Sequence, residues 1–275
     1  MYIWQLLNDI FWNMGMLGQV GAASGGSTTT VVDSTLALST DVKAGGTIMI
    51  VKTTDGLAPQ GEAQRVNSNT SNTYTTNAFT AAVGAGDEYV YISKDFNIYE
   101  FIRLVNRGLR KVGMIPLIDK TITTADSQRE YTLPVALKRN QIANVQLQRS
   151  TDSNNNQWVP AFDWDIEQNN TAGGTGLLIF KKQPESGYNV KIEYYGEHPE
   201  ITALSDTLHE SVPPELAEAA FAYMLNSSRN SEAIASQSGY RDLYGSSRDE
   251  FNEALRRWPI AKHRVIRPAL TFKRN

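Results

Sequence analysis

Cysteine is absent from this 275-residue chain, and histidine occurs only three times, at His198, His209 and His263. The absence of cysteine excludes disulfide bonds, thiol nucleophiles and every zinc or iron–sulfur site built on cysteine. Three histidines leave little material for a histidine-based metal site or catalytic centre. Hydrophobic residues make up 41% of the chain and charged residues 20%, a composition typical of a folded protein rather than a disordered one.

Long apolar runs are also missing. No stretch approaches 18 consecutive apolar residues, so no transmembrane helix is predicted. The N-terminal segment lacks the basic residues of a secretory signal, and Gln5, Asn8, Asp9 and Asn13 interrupt its apolar pattern. We therefore expect synthesis in the cytoplasm and no association with a membrane.

The charge is distributed unevenly along the chain. Residues 256–275 contain seven Lys or Arg and no acid, which leaves 19 basic against 29 acidic residues in positions 1–255. The net charge of −3 gives no support to a general nucleic-acid-binding protein. An acidic body with a basic tail is the asymmetry that a functional hypothesis has to explain.

Helical periodicity predicts two helices in the first half of the chain. Apolar residues follow one another at helical spacing over residues 3–14, and Gly15 ends that pattern. A second amphipathic helix is predicted over 98–112, with Asn97 as its N-cap and Gly113 just beyond its C-terminus.

Two further helices are predicted near the C-terminus. The prolines of segment 211–215 suit the first turn of a helix whose buried side carries Leu216, Ala220, Tyr223 and Met224. A last helix follows Asn230 and stops at Pro259.

Alternating hydrophobicity predicts two β-rich regions. In region 28–92 the predicted strands are 29–38, 47–52, 62–68, 73–80 and 87–92. In region 120–196 they are 130–134, 142–149, 157–167, 176–180 and 188–195. The small, glycine-rich segment 20–27 is predicted to be a linker.

The predicted fold is an α+β architecture in which four helices pack together and the two β-rich regions are insertions. Each helix has one apolar face and cannot bury it alone, which is why a helical bundle is expected. The expected parts are a core helix (1–17), an inserted β domain (28–92), a second core helix (96–114), a β-rich domain (120–196), a C-terminal helix pair (211–258) and an extended basic arm (259–275).

No catalytic signature occurs in the sequence. Segment 173–176, Gly-Gly-Thr-Gly, could form a phosphate-binding loop, but it precedes a predicted strand rather than a helix, so a plain turn is favoured. The acidic residues of the predicted strand 157–167 favour a solvated strand face over calcium ligation or a glycosidase pair; they are Asp163, Asp165 and Glu167. A loop that caps the following helix best explains Asp206, His209 and Glu210. We therefore predict a non-enzymatic protein without metal or cofactor.

The outer face of the helix at 98–112 carries a cationic stripe, formed by Arg103, Arg107, Arg110 and Lys111. Such a stripe can be solvated, can pair with acids of another subunit, or can contact phosphates. The acidic body favours subunit contact over phosphate binding.

The basic tail alternates cations with apolar residues, and Pro259 and Pro268 prevent a continuous helix. An extended arm that inserts into a groove of a partner fits this composition better than a nucleic-acid-binding tail, and a mobile solvated tail is the third possibility. The residues of this predicted arm are Arg264, Val265, Ile266, Arg267, Leu270, Phe272, Lys273 and Arg274.

The order of several short segments is distinctive. After the second helix come Tyr131-Thr-Leu-Pro134, a strand around Val145–Leu147, Trp158, and a glycine-rich turn into Leu177–Phe180. Pro184, Gly187-Tyr188 and Val190–Tyr195 follow, and Val212-Pro-Pro-Glu-Leu216 with the alanine-rich segment 217–225 closes the series. Over about residues 96–258 this order resembles the head-to-tail connector (adaptor) proteins of tailed bacteriophages.

The resemblance implies a connector-like helical core and a twelvefold ring beneath the portal at the neck of the virion. Such a ring joins the portal to the tail or nozzle protein and continues the DNA channel, with DNA passing through it without sequence-specific binding. The resemblance also implies that the arm from Pro259 onward docks on the portal protein.

Other functions remain as alternatives. The Thr-, Asn- and Gly-rich region 28–92 is compatible with a different neck or tail protein whose β domain faces the host or the tail. Asp163, Asp165, Trp158 and Trp164 are compatible with a carbohydrate-binding protein or carbohydrate-active enzyme. A cellular nucleic-acid-binding protein is the third alternative, and its affinity would fall steeply with salt.

Overall fold

The computed structural model describes residues 1–13, 17–94, 97–148, 157–167, 174–233, 239–260 and 262. The chain forms two compact units, of which the first combines residues 1–113 with 199–259 and the second contains residues 114–198. The α-helices formed by these residues, all in the first unit, are α1 (Ile3–Asn13), α2 (Ile98–Val112), α3 (Pro214–Ala233) and α4 (Gly239–Arg257).

The strands between residues 17 and 92 form one antiparallel sheet of seven strands. Its strands are β1 (Leu17–Ala22), β2 (Gly25–Gly26), β3 (Thr30–Val32), β4 (Thr47–Lys52), β5 (Ala63–Asn69), β6 (Thr73–Thr76) and β7 (Glu88–Ile92). Their order across the sheet is β1-β7-β4-β5-β6-β3-β2. Five of these strands overlap the five that periodicity predicts in region 28–92.

The seven-stranded sheet curls on itself. Its first and last strands are consecutive in the chain, joined only by Ala23 and Ser24, and such a connection spans at most about 11 Å. Six spacings between neighbouring strands of a flat sheet would need about 29 Å. The curled sheet encloses an apolar core that includes Val31, Ile48, Ile50, Val66, Tyr74 and Tyr89.

The prediction that residues 20–27 are a linker is wrong. The segment contains strand β2 and the end of strand β1, which pairs with β7 from Leu17↔Ile92 to Ala22↔Glu88. Glycine is needed here for close packing, because a Cβ atom on Gly21 would lie 2.7 Å from Oδ2 of Asp33 and 2.8 Å from the hydroxyl of Tyr89. A glycine-rich composition therefore reflects a tight tertiary contact and not a flexible connection.

Helix α1 is held by both the sheet and the other helices. Trp4 is buried against Met49 and Val90 of the sheet, and a Cβ atom on Gly61 would lie only 2.5 Å from the Trp4 ring. At the other end of α1, Phe11 meets Phe101 of α2 edge to face, with 4.6 Å between ring centroids. The apolar face of α1 is thus shared between a sheet and a helix pair.

Helix α3 packs against both α2 and α4. Gly108 of α2 faces the backbone of Ala220, and Phe101 lies 5.9 Å from Phe221 between ring centroids. On another side of α3, Tyr223 stacks on Phe251 of α4 at 5.6 Å. The small side chains at the α2–α3 crossing let the two backbones approach closely.

The second unit is a β-sandwich. Its strands are β8 (Ile115–Thr123), β9 (Glu130–Thr132), β10 (Ile142–Gln148), β11 (Trp158–Ala161), β12 (Trp164–Glu167), β13 (Leu177–Phe180) and β14 (Asn189–Gly196). They form a four-stranded sheet, β11-β10-β14-β8, and a three-stranded sheet, β12-β13-β9. Side chains of both sheets meet in one core that includes Tyr131, Val145, Trp164, Phe180 and Ile192.

The predicted fold class is wrong. The chain is β-rich, with 33% strand against 24% helix, and its described residues form three antiparallel sheets and four α-helices rather than a four-helix connector bundle. The physical reason is that the β-rich regions do not depend on a helical core. The curled sheet and the sandwich each close their own apolar core, and α1 buries Trp4 on a sheet rather than on a helix.

Two local predictions in the second unit also change. Residues 157–167, expected to be one strand, form β11 and β12, which lie in different sheets and are separated by Phe162 and Asp163. The strand-rich stretch begins at Ile115 rather than near residue 120, and Pro116 is tolerated because β8 is an edge strand.

Candidate functional site

Local sequence signals place helix α2. The helix begins directly after Asn97, whose carbonyl oxygen accepts a hydrogen bond from the Glu100 amide at 2.9 Å, and it ends before Gly113, whose φ is 99°. A positive φ is easily adopted by glycine and ends a helix there. The face of α2 that carries Phe101 and Leu109 is buried, so the opposite face is turned to solvent.

The cationic stripe lies on that outer face. Arg103, Arg107, Arg110 and Lys111 are all exposed, as expected for a stripe available to a partner. Within the described part of the chain, Arg103, Arg107 and Lys111 form no ion pair. Like charges three or four residues apart on a helix repel one another by a few tenths of a kcal/mol. Contact of this stripe with another subunit remains a prediction.

The predicted arm lies outside the described residues. This applies to Arg264, Val265, Ile266, Arg267, Leu270, Phe272, Lys273 and Arg274. Of the arm, the structure describes only residues 259, 260 and 262. Just before it, the Arg257 guanidinium lies 5.5 Å from the ring centroid of Trp258.

Sequence reasoning missed a second surface, formed by the outer face of α1 and the first turns of α3. Trp12 is 67% exposed, and the exposed Asp9 precedes it by one helical turn. Glu215 and Glu218 of α3 add two carboxylates near Asp9. A sequence signal for this surface exists, since residues 1–42 and 192–228 contain no Lys or Arg.

Two carboxyl groups of this surface have a raised pKa. Burial raises the pKa of Asp9. The pKa of Glu218 is also raised, first by burial and then by the negative charges of Asp9 and Glu215. In the described chain no ion pair offsets these charges. The α1–α3 surface is therefore negatively charged, partly desolvated and short of cations.

The acidic residues at and just before β12 are exposed and do not form a site. Asp165 and Glu167 are exposed on β12, while Trp164, which precedes Asp165, is buried under the guanidinium of Arg139, 3.6 Å from its ring centroid. The described residues bring no three His, Asp or Glu side chains together as a metal site. Asp163 precedes β12 and is also exposed.

The loop before α3 is held by its own side chains. The Asp206 carboxylate accepts hydrogen bonds from the Thr202 and Ala203 amides at 2.7 and 2.9 Å, which lower its pKa. The ring of His209 accepts one from the Ser211 amide at 3.2 Å, and Glu210 is exposed. Gly173 lies outside the described residues, and Gly174 to Gly176 lead into β13 as predicted.

No helix formed by the described residues combines the length and the apolarity that crossing a bilayer requires. Trp158, one of the residues behind the carbohydrate alternative, is only partly exposed. The Lys120 and Lys191 ammonium groups lie 5.6 and 5.7 Å from its ring centroid.

Comparison with curated proteins gave no match. Comparison with protein families matched residues 85–267 to the SU10 adaptor protein family. The matched segment begins just before β7 and runs through the second unit, α3 and α4, so it contains the α2 stripe and the start of the arm. It spans 183 of the 275 residues, and the resemblance to phage head-to-tail adaptors is confirmed. The chain therefore belongs to the SU10 adaptor protein family and has a structural role in the virion neck.

Proposed function

We propose that this protein assembles into a ring that joins the portal to the tail and continues the DNA channel. Family membership supports an adaptor role that involves portal and tail components. The observation that carries the ring is the outer face of α2, where Arg103, Arg107 and Lys111 are exposed and unpaired within the described chain. A one-sided charged face on a rigid helix suits a heterologous contact, which closes into a ring when each copy is rotated relative to the last.

The basic arm is the proposed attachment to the portal. Its cations and apolar residues are interleaved, as in segments that order when they dock in an apolar groove with acidic rims. In this arrangement the ring forms through the helical faces, and the arm from Pro259 onward holds it to the portal.

The acidic body suits DNA passage. Residues 1–255 carry a formal charge of −10, and negative surfaces repel the phosphates of a duplex. A channel lined by such a surface would let DNA slide without being held.

The experiment is native mass spectrometry and negative-stain electron microscopy of the full chain, alone and mixed with the portal protein. A closed ring of about twelve copies, bound to one end of the portal, is expected. Deletion of residues 263–275 should leave the ring intact and abolish portal attachment, whereas Thr70→Ser on a loop of the seven-stranded sheet should change neither. A protein that stays monomeric both alone and with the portal would overturn the proposal.

A further inference from the structure

The outer faces of α1 and α2 are chemically complementary. Both belong to the first compact unit, and each is an exposed helix face. The α2 face carries exposed cations, whereas the α1–α3 surface carries Asp9, Glu215 and Glu218 with the exposed indole of Trp12. We infer that the cationic stripe on α2 of one copy docks on the α1–α3 surface of the next copy. This inference rests on the proposed ring and identifies its two contacting faces.

Several charges of these two faces have no ion-pair partner among the described residues. Arg103 and Arg107 form no ion pair in the described part of the chain, and neither do Asp9, Glu215 and Glu218. Other lysines form ion pairs within the chain: Lys191 with Glu193 at 2.6 Å, and Lys52 with Glu88 at 2.7 Å. Opposite charges on two faces of one chain can neutralise each other only between copies.

The exposed aromatics favour arginine as the ligand. Trp12 is 67% exposed and follows Asp9 by one turn of α1, whereas Tyr2, 48% exposed, precedes the helix and stacks on Trp4. A guanidinium can stack on an indole while it donates hydrogen bonds to carboxylates, which an ammonium does less well. The chain already uses this pairing where Arg139 covers Trp164 at 3.6 Å. The α1–α3 surface therefore offers both the acceptors and the aromatic ring that an arginine side chain uses.

The two faces are different surfaces of one subunit. Inside the subunit, α2 turns Phe101 toward Phe11 of α1 and Phe221 of α3, so its cationic face points away from both helices. A contact between this face and the α1–α3 surface cannot form within one copy. It is head-to-tail between copies, which is the geometry that a ring needs.

Cysteine cross-linking tests the inference directly, because the chain contains no cysteine of its own. Glu100→Cys places a thiol on the α2 face, and Asn13→Cys places one beside Trp12. Both residues are exposed. Glu100→Cys removes one carboxylate from the α2 face but none of its cations, and Asn13→Cys changes no charge. An isotopically labelled Glu100→Cys protein is mixed with an equal amount of unlabelled Asn13→Cys protein, assembled on the portal and treated with a short bis-maleimide.

Mixed dimers that join the two variants are expected. Little product should form when either variant is assembled alone, or when Glu100→Cys is paired with the control Thr70→Cys. Efficient linking of Glu100→Cys to itself would overturn the inference, because it would show that two α2 faces meet symmetrically. Rings without mixed dimers would overturn the inference and leave the proposed ring standing. If no ring forms with any variant or with the parent chain, the proposed function fails as well.

Charge reversal gives an independent readout. Arg107→Glu should weaken assembly at least about tenfold, since it sets like charges opposite each other. Asp9→Arg alone should weaken it similarly, and both changes in one chain should restore most of the loss. Arg107→Lys, which keeps the charge but not the planar guanidinium, should cost less than Arg107→Glu. Failure of the double variant to recover would contradict the pairing, provided that its melting temperature equals that of the parent chain.

Discussion

The hydroxyl of Tyr89 donates a hydrogen bond of 2.8 Å to Oδ2 of Asp33 inside the seven-stranded sheet. Both residues are almost fully buried. The other carboxylate oxygen accepts hydrogen bonds from the Thr35 amide at 2.9 Å and the Thr35 hydroxyl at 2.6 Å. This buried charge ties the segment that follows β3 to β7, which also pairs with β1 and β4.

Removal of either partner of this pair should destabilise the first unit. Asp33→Ala leaves the Tyr89 hydroxyl and the Thr35 groups without an acceptor, so a loss of about 1–3 kcal/mol is expected. Tyr89→Phe should cost less, because Thr35 still satisfies part of the carboxylate. Hydrogen exchange of the β7 amides measures this loss of stability, because β7 belongs to the first unit. Additive losses in the double variant would contradict the direct coupling, since residues in contact show a coupling energy.

Asp33 should also make the first unit sensitive to acid. Burial raises the pKa of this carboxylate, but the hydrogen bonds from Thr35 and Tyr89 outweigh burial, so the net pKa lies below its ordinary value of 3.8. A carboxyl group with a depressed folded pKa contributes stability that is complete above its unfolded pKa of about 3.9 and is lost as the pH falls through the folded pKa.

We therefore expect the stability of the first unit to fall steeply below about pH 4. Asp33→Asn should make this fall shallower, because asparagine does not titrate. Melting temperatures measured from pH 2.5 to pH 6 test this expectation. An unchanged acid slope in Asp33→Asn would show that other carboxylates cause the fall.

Gly108→Ala should destabilise the helices although alanine favours helix formation. A Cβ atom at position 108 would lie 3.1 Å from the carbonyl carbon of Ala220 and 3.2 Å from the Phe221 amide nitrogen. These are backbone atoms of α3 and cannot rotate away. The gain in helix propensity is about 1 kcal/mol, whereas overpacking costs about 1–3 kcal/mol, so a net loss of about 1 kcal/mol is expected.

The matched control for this substitution is Asn252→Ala, at an exposed position of α4. It has only the propensity gain and should raise the melting temperature slightly. A rise for Gly108→Ala as well would mean that α2 and α3 separate without cost.

The sequence predicts α2 well because its determinants are local. The spacing of Phe101, Val105 and Leu109, the start after Asn97 and the stop at Gly113 all lie within one short segment. The fold class was not predictable in the same way. Which strand neighbours which depends on contacts between residues far apart in the chain, such as the pairing of β1 with β7.

The candidate surfaces show the same division. The cationic stripe was predicted because its residues share one helix. The α1–α3 surface was missed because its acids come from segments about 200 residues apart in the chain. The Ile3 amide donates to the Asp206 carbonyl at 2.9 Å and the Trp4 amide to the Leu204 carbonyl at 3.1 Å. Such tertiary contacts place α1 beside the segment that leads into α3. The periodicity of either helix therefore cannot predict that Asp9 lies near Glu218.

Glu218→Gln should stabilise the isolated subunit at neutral pH. Burial and the nearby carboxylates of Asp9 and Glu215 raise the pKa of Glu218 above its ordinary value of 4.5. A carboxyl group with a raised folded pKa binds its proton more tightly in the folded state. Its contribution to stability therefore falls as the pH rises from the unfolded pKa through the folded pKa.

Glutamine removes this pH dependence and relieves the repulsion between Glu215 and Glu218, which lie three residues apart on α3. Like-charge pairs at this spacing cost about 0.5 kcal/mol, so a small rise in the melting temperature at pH 7 is expected, with none at pH 4. Glu253→Gln, at an exposed position of α4, is the control and should change neither value. If the α1–α3 surface receives arginines of the next copy, Glu218→Gln should weaken the assembled ring while it stabilises the subunit. An equal gain in subunit and ring would contradict that use of the surface.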